Sequence, residues 1–253
     1  MTNKVAVVTG SSRGIGKQIA ITLSKNGYDV VVNYYSDQAC AEEVSELVRS
    51  FGRKSICIKA DVGNMDEVHN MFERVFKEFG NVDLLVDNAG ISYEAPFLEA
   101  SEEFFDKMTS VDWKAVFFSS QIVANKMVEK NIHGTIINIA SNQVFGCWPG
   151  ASVYAPSKAA VVQFTKNAAM ELSHHGIRMV AVAPGYTDVG WPEGDIRHEA
   201  AARLPLRRFA TTEEVAEAVL YLASEKANYI TGTCLTIDGG ATLPVVAKND
   251  FVD

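Results

Sequence analysis

The stretch Lys4-Val5-Ala6-Val7-Val8-Thr9-Gly10-Ser11-Ser12-Arg13-Gly14-Ile15-Gly16 decides the fold. Its first half is a continuous apolar run, the composition of a strand covered on both faces. Glycines 10, 14 and 16 end that run, and a helical stretch over 14–26 follows. Glycine lets the backbone turn tightly and come close to a pyrophosphate, and a helix N-terminus adds free N–H groups and a partial positive charge. Three glycines alone mean little. Between a strand and a helix they predict a dinucleotide phosphate loop, with Gly10, Ser12, Arg13, Gly14, Ile15 and Gly16 as contacts. No Gly-Lys-Ser/Thr follows, so the loop is not of the kind that hydrolyses nucleoside triphosphates.

Working outward, short apolar runs alternate with longer amphipathic ones. Strands are expected over 4–9, 29–34, 55–60, 82–87, 134–140, 177–183 and 233–237, and helices over 14–26, 37–51, 65–79, 101–130, 152–174 and 211–224. This alternation predicts an α/β fold, one doubly wound parallel sheet of the Rossmann kind with helices on both faces. No repeat, linker or change in composition divides the chain, so residues 1–253 read as a single dinucleotide-binding catalytic domain. Residues 184–210, which begin Pro184-Gly185 and contain Trp191-Pro192-Glu193-Gly194, escape the alternation. Long connections are commonly functional, and this one leaves a strand end beside the expected ligand crevice, so it reads as a substrate lid.

Composition narrows the function. The 253 residues are 47% hydrophobic and 21% charged, which excludes disordered and low-complexity classes. A formal charge of −8 argues against nucleic acid as a partner, and no apolar run is long enough to span a bilayer. The opening residues lack a signal-peptide layout, so the expected location is cytoplasmic. Cysteines 40, 57, 147 and 234 form no Cys-x-x-Cys pair and the five histidines no His-Glu-x-x-His motif, so no metal site is expected.

Cofactor preference follows from charge. A 2′-phosphate needs a cation, whereas a free ribose diol prefers a carboxylate. Strand two ends Asn33-Tyr34-Tyr35-Ser36 with no acid at the usual spot, which makes Tyr34 a cofactor-lining residue, and Arg13 lies in the glycine loop. Both observations favour NADP(H); Asp37 nearby keeps NAD(H) open.

Tyr154 and Lys158, four residues apart, share one helix face. A phenol titrates near pH 10, but an adjacent ammonium favours the phenolate. Ser141 lies just past strand five, thirteen residues before Tyr154, at the carboxyl edge of the sheet where ligands bind. Its hydroxyl is placed to hold a reacting oxygen while Tyr154 exchanges the proton.

Thr9 to Gly16, Asn88-Ala89-Gly90, Ser141, Tyr154 with Lys158, and Pro184-Gly185 together resemble the short-chain dehydrogenase/reductase family, in order and spacing, along essentially the whole chain. The resemblance implies a seven-stranded sheet, a homotetramer, and hydride transfer between a nicotinamide and a carbonyl or secondary alcohol. It implies that Tyr154 is the acid/base, that Lys158 binds the nicotinamide ribose and tunes Tyr154, and that Ser141 orients the substrate. Asp61 and Val62 would flank the adenine, and Asn88, Ala89 and Gly90 would support strand four and the cofactor, which Pro184 and Gly185 would also contact. Three positions depart from the family pattern. Asp87 replaces the first asparagine of Asn-Asn-Ala-Gly. Asp112 occupies the place of the tetrad asparagine, where its backbone carbonyl can keep the asparagine's role while its carboxylate raises the pKa of Lys158. Val189 stands where a threonine often binds the carboxamide, with Thr187 as the substitute.

Substrate choice is written in variable segments. Gln143, Phe145, Trp148 and Trp191 are expected to line the pocket. Asn131 to Asn138, Trp148-Pro149 and Asp238 to Leu243 are similar to bacterial glucose 1-dehydrogenases, which favours a sugar or polyol. Phe51 to Ile56 is equally similar to 3-oxoacyl-carrier-protein reductases. A dinucleotide-binding sensor without turnover is the remaining alternative, separated from the enzyme by whether turnover occurs and is lost in Tyr154→Phe.

Overall fold

The computed structural model describes residues 3–243 apart from Glu193 and Ile196; Met1, Thr2 and 244–253 also lie outside the described residues. The order is β1 (Lys4–Val8), α1 (Gly14–Lys25), β2 (Tyr28–Tyr34), α2 (Gln38–Ser50), β3 (Ser55–Lys59), α3 (Met65–Phe79), β4 (Leu84–Asp87), α4 (Glu102–Thr109), α5 (Ala115–Lys130), β5 (Thr135–Ile139), α6 (Tyr154–Leu172) and β6 (Arg178–Pro184). The chain continues with β7 (Thr187–Asp188), α7 (Arg197–Ala201), β8 (Ala210–Thr211), α8 (Thr212–Ala223) and β9 (Cys234–Ile237). Seven strands form one sheet in the order β3-β2-β1-β4-β5-β6-β9, and every pair is parallel. The order reverses between β1 and β4, and there the strand ends open a crevice.

Strand side chains alternate between two cores. Ala6, Val8, Val30, Val32 and Val180 pack with α1, α2 and α8, whereas Val7, Val31, Leu85, Ile136 and Met179 pack with α3 and α5. Covered on both faces, these strands tolerate few charged residues, which is why several of them are rich in Val and Ile. Helix starts are fixed by side-chain caps: Asp37 accepts from the Cys40 N–H, Asn64 from Asp66 and Glu67, and Thr211 with Glu214 forms a reciprocal capping box. Helix α1 is different. Its N-cap, Arg13, makes no side-chain cap, and its first turn contains no acid.

Two expectations need correction. The helix expected over 101–130 is interrupted by one π turn, Ser110–Lys114. The extra residue in that turn rotates Asp112 into the interior, where it is fully buried. The stretch 184–210, expected as a substrate lid, is also more regular than a loop. Pro184 completes β6 opposite Ile237, β7 pairs with β8, and Ala201, Leu204 and Phe209 form a small apolar cluster with Tyr186 and Trp191.

Candidate active site

The crevice begins at the glycine loop. Gly10 has a φ of +61°, and a Cβ there would come within 2.9 Å of the Ala89 Cα. At Gly16 a Cβ would meet Asn88 Nδ2 at 2.4 Å and the Gly10 carbonyl at 2.5 Å, so no larger residue fits. The Thr9 hydroxyl accepts from the Asn88 and Ala89 N–H groups at 2.9 and 3.0 Å, and Asn88 Nδ2 donates to the Thr9 carbonyl at 2.9 Å. Asn33 Oδ1 accepts the Gly10 N–H at 2.9 Å. These bonds hold the loop so that the uncapped first turn of α1 faces an open cradle. A diphosphate fits it: the first turn of α1 has no side-chain cap and no acid, so its N–H groups are open to an anion.

The ends of β1, β4 and β5, with α6, build the reacting centre. A cleft of about 490 Å³ is lined there by Ile15, Asn88, Gly90, Ser141, Tyr154 and Lys158, and Pro184, Gly185 and Thr187 form its other wall. Tyr154 is the first residue of α6, so its half-buried ring projects from the helix start into the cleft. Lys158, one turn on, is buried and brings its ammonium to 5.8 Å from the centre of the Tyr154 ring. The Lys158 Nζ donates to the Ile139 carbonyl and ion-pairs with Asp112 Oδ1, both at 3.2 Å. Asp112 Oδ1 also accepts the Ile91 N–H at 3.2 Å. A Cβ on Gly90 would lie 2.8 Å from that oxygen, so the pair needs glycine above it. Ser141 caps the short helix Asn142–Phe145 by accepting the Gln143 N–H on its Oγ at 3.2 Å.

Burial alone would depress the Lys158 pKa, but Asp112, Tyr154 and Asp87 outweigh it and raise the group above the ordinary lysine value. Burial pushes Asp112 upward, and Lys158 offsets only part of the rise. Asp87, buried at the end of β4, is pushed well above the carboxylate range by the same desolvation, only partly offset by the Ser120 hydroxyl at 3.1 Å and by Lys158. Its role could not be read from the sequence, where it stands out only as a departure from a motif. A carboxyl raised on folding contributes its full stability below the unfolded pKa, near 3.9, and loses it as pH rises toward the folded value. Asp87→Asn is therefore expected to raise the melting temperature by roughly 2–4 °C at about pH 8, with the gain shrinking toward about pH 4. A gain equal at both pH values in thermal unfolding would show that ionisation of Asp87 is not its cause.

Other residues expected at the site divide. Gln143, Trp148 and Trp191 line the cleft; Phe145 does not, being half exposed outside it. Tyr34 is also corrected. In β2 its ring points into the core beside α1 and α2, and the neighbouring Tyr35 is the exposed one. Val62 likewise turns its side chain into the core, while Asp61 accepts the Gly63 N–H at 2.8 Å just past β3. Thr187 donates to the Gly185 carbonyl at 3.2 Å, and Val189 sits over Gly14, its Cγ1 3.5 Å from where a Cβ would be. Ser12 is half-buried and Arg13 exposed at the loop. Tyr186, Glu94 and Ser92 also line the cleft. Motif reading missed them because they belong to no repeating pattern, although Tyr186 directly follows Pro184-Gly185. Among the described residues no cluster of His, Cys, Asp and Glu could hold a metal, and no helix is long and apolar enough to cross a membrane.

A parallel sheet with a glycine cradle at its switch point, beside a serine, a tyrosine and a lysine in one cleft, defines a dinucleotide-fold oxidoreductase. Residues 10–242 match the family model described as enoyl-(acyl carrier protein) reductase. A 3-oxoacyl-[acyl-carrier-protein] reductase of Staphylococcus epidermidis is 39% identical over 94% of this chain and 98% of its own length. Glucose 1-dehydrogenase 2 of Bacillus subtilis is 35% identical over 96% of both chains. The crystal structure of acetoin dehydrogenase YohF from Salmonella typhimurium superposes with a TM-score of 0.91 at 34% identity, covering 98% of this chain and 99% of that one. The chain belongs to the short-chain dehydrogenase/reductase family. It is an oxidoreductase acting on CH–OH donors, and members of its family bind NAD(H) or NADP(H).

Proposed function

We propose that the protein interconverts a compact carbonyl compound and its secondary alcohol, with NADP(H) as the favoured dinucleotide and a sugar, polyol or hydroxyketone as substrate. The observation that carries this reading is the convergence of Ser141, Tyr154 and Lys158 on one cleft beside the glycine cradle. Gly10, Ser12, Gly14, Ile15 and Gly16 would hold the diphosphate, Asp61 the adenine end, and Asn88, Ala89, Gly90, Lys158, Pro184, Gly185 and Thr187 the nicotinamide half. Bound there, the nicotinamide supplies or takes up the hydride.

The chain's own residues manage the proton. The Ser141 Oγ accepts the Gln143 N–H, which leaves its own proton for the substrate oxygen. Tyr154 gives or takes the proton at that oxygen. Lys158, pinned by Asp112 and the Ile139 carbonyl, keeps a positive charge beside the phenol. Gln143, Trp148 and Trp191 form the substrate walls. The NADP(H) preference is supported by Arg13, exposed at the loop, and by Asn33 rather than an acid at the end of β2, while Asp37, whose carboxylate caps α2, keeps NAD(H) open. The Cys40 N–H holds the Asp37 pKa below its usual value, and Arg13 adds a smaller part.

A 3-oxoacyl-carrier-protein substrate is the second reading, favoured by the staphylococcal relative. We further infer that residues 1–253 act as one domain with 184–210 as its lid, in a cytoplasmic homotetramer. The test is nicotinamide absorbance with both cofactors across sugars, polyols, hydroxyketones and acyl thioesters. Turnover faster with NADPH and confined to the compact compounds supports the reading; preference for NADH or for thioesters overturns the corresponding part.

Asp112 makes a pH prediction. Its carboxylate opposes the ammonium's attraction for a phenolate, so removing it strengthens the positive field at the Tyr154 hydroxyl. Asp112→Asn is expected to move the pH–rate profile for alcohol oxidation toward acid by about half a unit to one unit. An unmoved or alkaline-shifted profile would mean the carboxylate does not reach the phenol electrostatically.

A further inference from the structure

We propose that Trp148 and Tyr186 form a brace across the cleft that sets its upper substrate size, admitting a compact carbonyl or alcohol and excluding one carried on a long acyl-thioester arm. The inference rests on the reading of this cleft as the hydride-transfer site and deepens it.

Three separate segments frame the cleft: 91–94, 140–148 and 184–191. Each is tied to the next. The Ala95 N–H donates to the Gly150 carbonyl at 3.0 Å, joining the first segment to the second. The Trp148 Nε1 donates to the Tyr186 hydroxyl at 3.2 Å, joining the second to the third. Neither partner of this second bond can swing easily. The indole lies against Gly146, where a Cβ would come within 2.6 Å of its Cζ3. The Tyr186 ring stacks on Phe209 with centroids 5.5 Å apart and planes 28° apart, and the Tyr186 carbonyl accepts the Ala210 N–H at 2.9 Å. Trp191 packs edge-on against the same Phe209 at 5.1 Å, which extends the aromatic wall.

Size and charge then select the substrate. The cleft of about 490 Å³ has to take the nicotinamide end as well as the substrate, so the space left suits a small molecule. A thioester arm needs a gap between the framing segments, and the Trp148–Tyr186 bond spans the gap between two of them. Of the charged residues lining the cleft, Lys158 is buried in its ion pair and Glu94 is exposed. Among the described lining residues, that arrangement offers an acidic carrier no exposed cation. Gly146, Trp148 and Tyr186 thus act on specificity rather than on the proton transfer.

The test compares wild type with Trp148→Phe, which removes the donor and keeps a ring, and Tyr186→Phe, which removes the acceptor and keeps the stack on Phe209. Substrates are a four-carbon diketone and acetoacetyl-coenzyme A, each read as kcat/KM. The wild type is expected to favour the diketone by at least about a hundredfold, and both variants to narrow that ratio about tenfold, chiefly by gaining on the thioester. Hydrogen exchange on the free proteins supplies a second readout. Tyr186→Phe should speed amide exchange in 146–150 as well as in 184–191. The brace is overturned if wild type uses the thioester as well as the diketone, if the variants change both substrates by one factor, or if exchange rises only in 184–191. Diketone turnover that persists in Tyr154→Phe would instead overturn the reading of the cleft, and the size argument with it.

Discussion

Tyr154→Phe is expected to lower kcat for carbonyl reduction about a thousandfold while leaving dinucleotide affinity within about twofold, because the variant removes only the group that moves the proton. The phenylalanine ring keeps the position of the tyrosine at the start of α6, half-buried in the cleft, so the walls stay in place. Ser141 cannot take over, since an aliphatic hydroxyl is a far weaker acid than a phenol; the Lys158 amine is engaged by Asp112 and the Ile139 carbonyl. The affinity arm of the measurement, by quenching of tryptophan fluorescence with NADPH, shows whether the cradle is intact. Retained turnover with intact binding would place the proton donor elsewhere and remove Tyr154 from the mechanism.

The second large effect concerns stability as much as rate. Lys158→Met keeps the length of the side chain but leaves the fully buried Asp112 carboxylate without its counter-charge. Breaking a buried pair from one side typically costs about 3–5 kcal/mol, because the remaining charge has neither water nor partner. For a chain of this size the melting temperature should fall by roughly 6–20 °C. The loss should be smaller in acid, where the orphaned carboxyl takes up a proton, and larger in alkali. Adding Asp112→Asn removes the stranded charge, so the double variant should recover most of the stability and none of the activity. Thermal unfolding and steady-state rates on the two single variants and the double complete the cycle. If the double variant is no more stable than Lys158→Met, the ion pair is not what Lys158 contributes to the fold.

These two experiments separate roles that share one side chain. On the proposed reading Lys158 would be the electrostatic partner of the Tyr154 phenol, and in the structure it is the counter-ion of an interior carboxylate. The shift of its pKa draws on both: burial lowers it, and Asp112, Tyr154 and Asp87 raise it further than burial lowers it. In a site with asparagines at 87 and 112 the same lysine would meet dipoles instead of charges.

Much of this was legible in one dimension because the determinants are local. Burial on both faces makes the strands apolar and rich in Val and Ile, and the tight turn after β1 demands glycines at 10, 14 and 16, so those residues announce the alternation and the cradle before any contact is known. The four-residue step from Tyr154 to Lys158 is also local, set by the pitch of α6. What the order of residues could not show depends on packing between distant segments. Whether Tyr34 or Tyr35 is buried rests on which side of β2 meets α1 and α2. Asp112 reaches Lys158 only because a single π turn rotates it inward, and Trp148 meets Tyr186 only because two segments 38 residues apart fold over one cleft. Periodicity fixes which face a residue takes within its own element; the partner it meets there is fixed by how the elements cross, and that decided the charges around the lysine and the walls around the substrate.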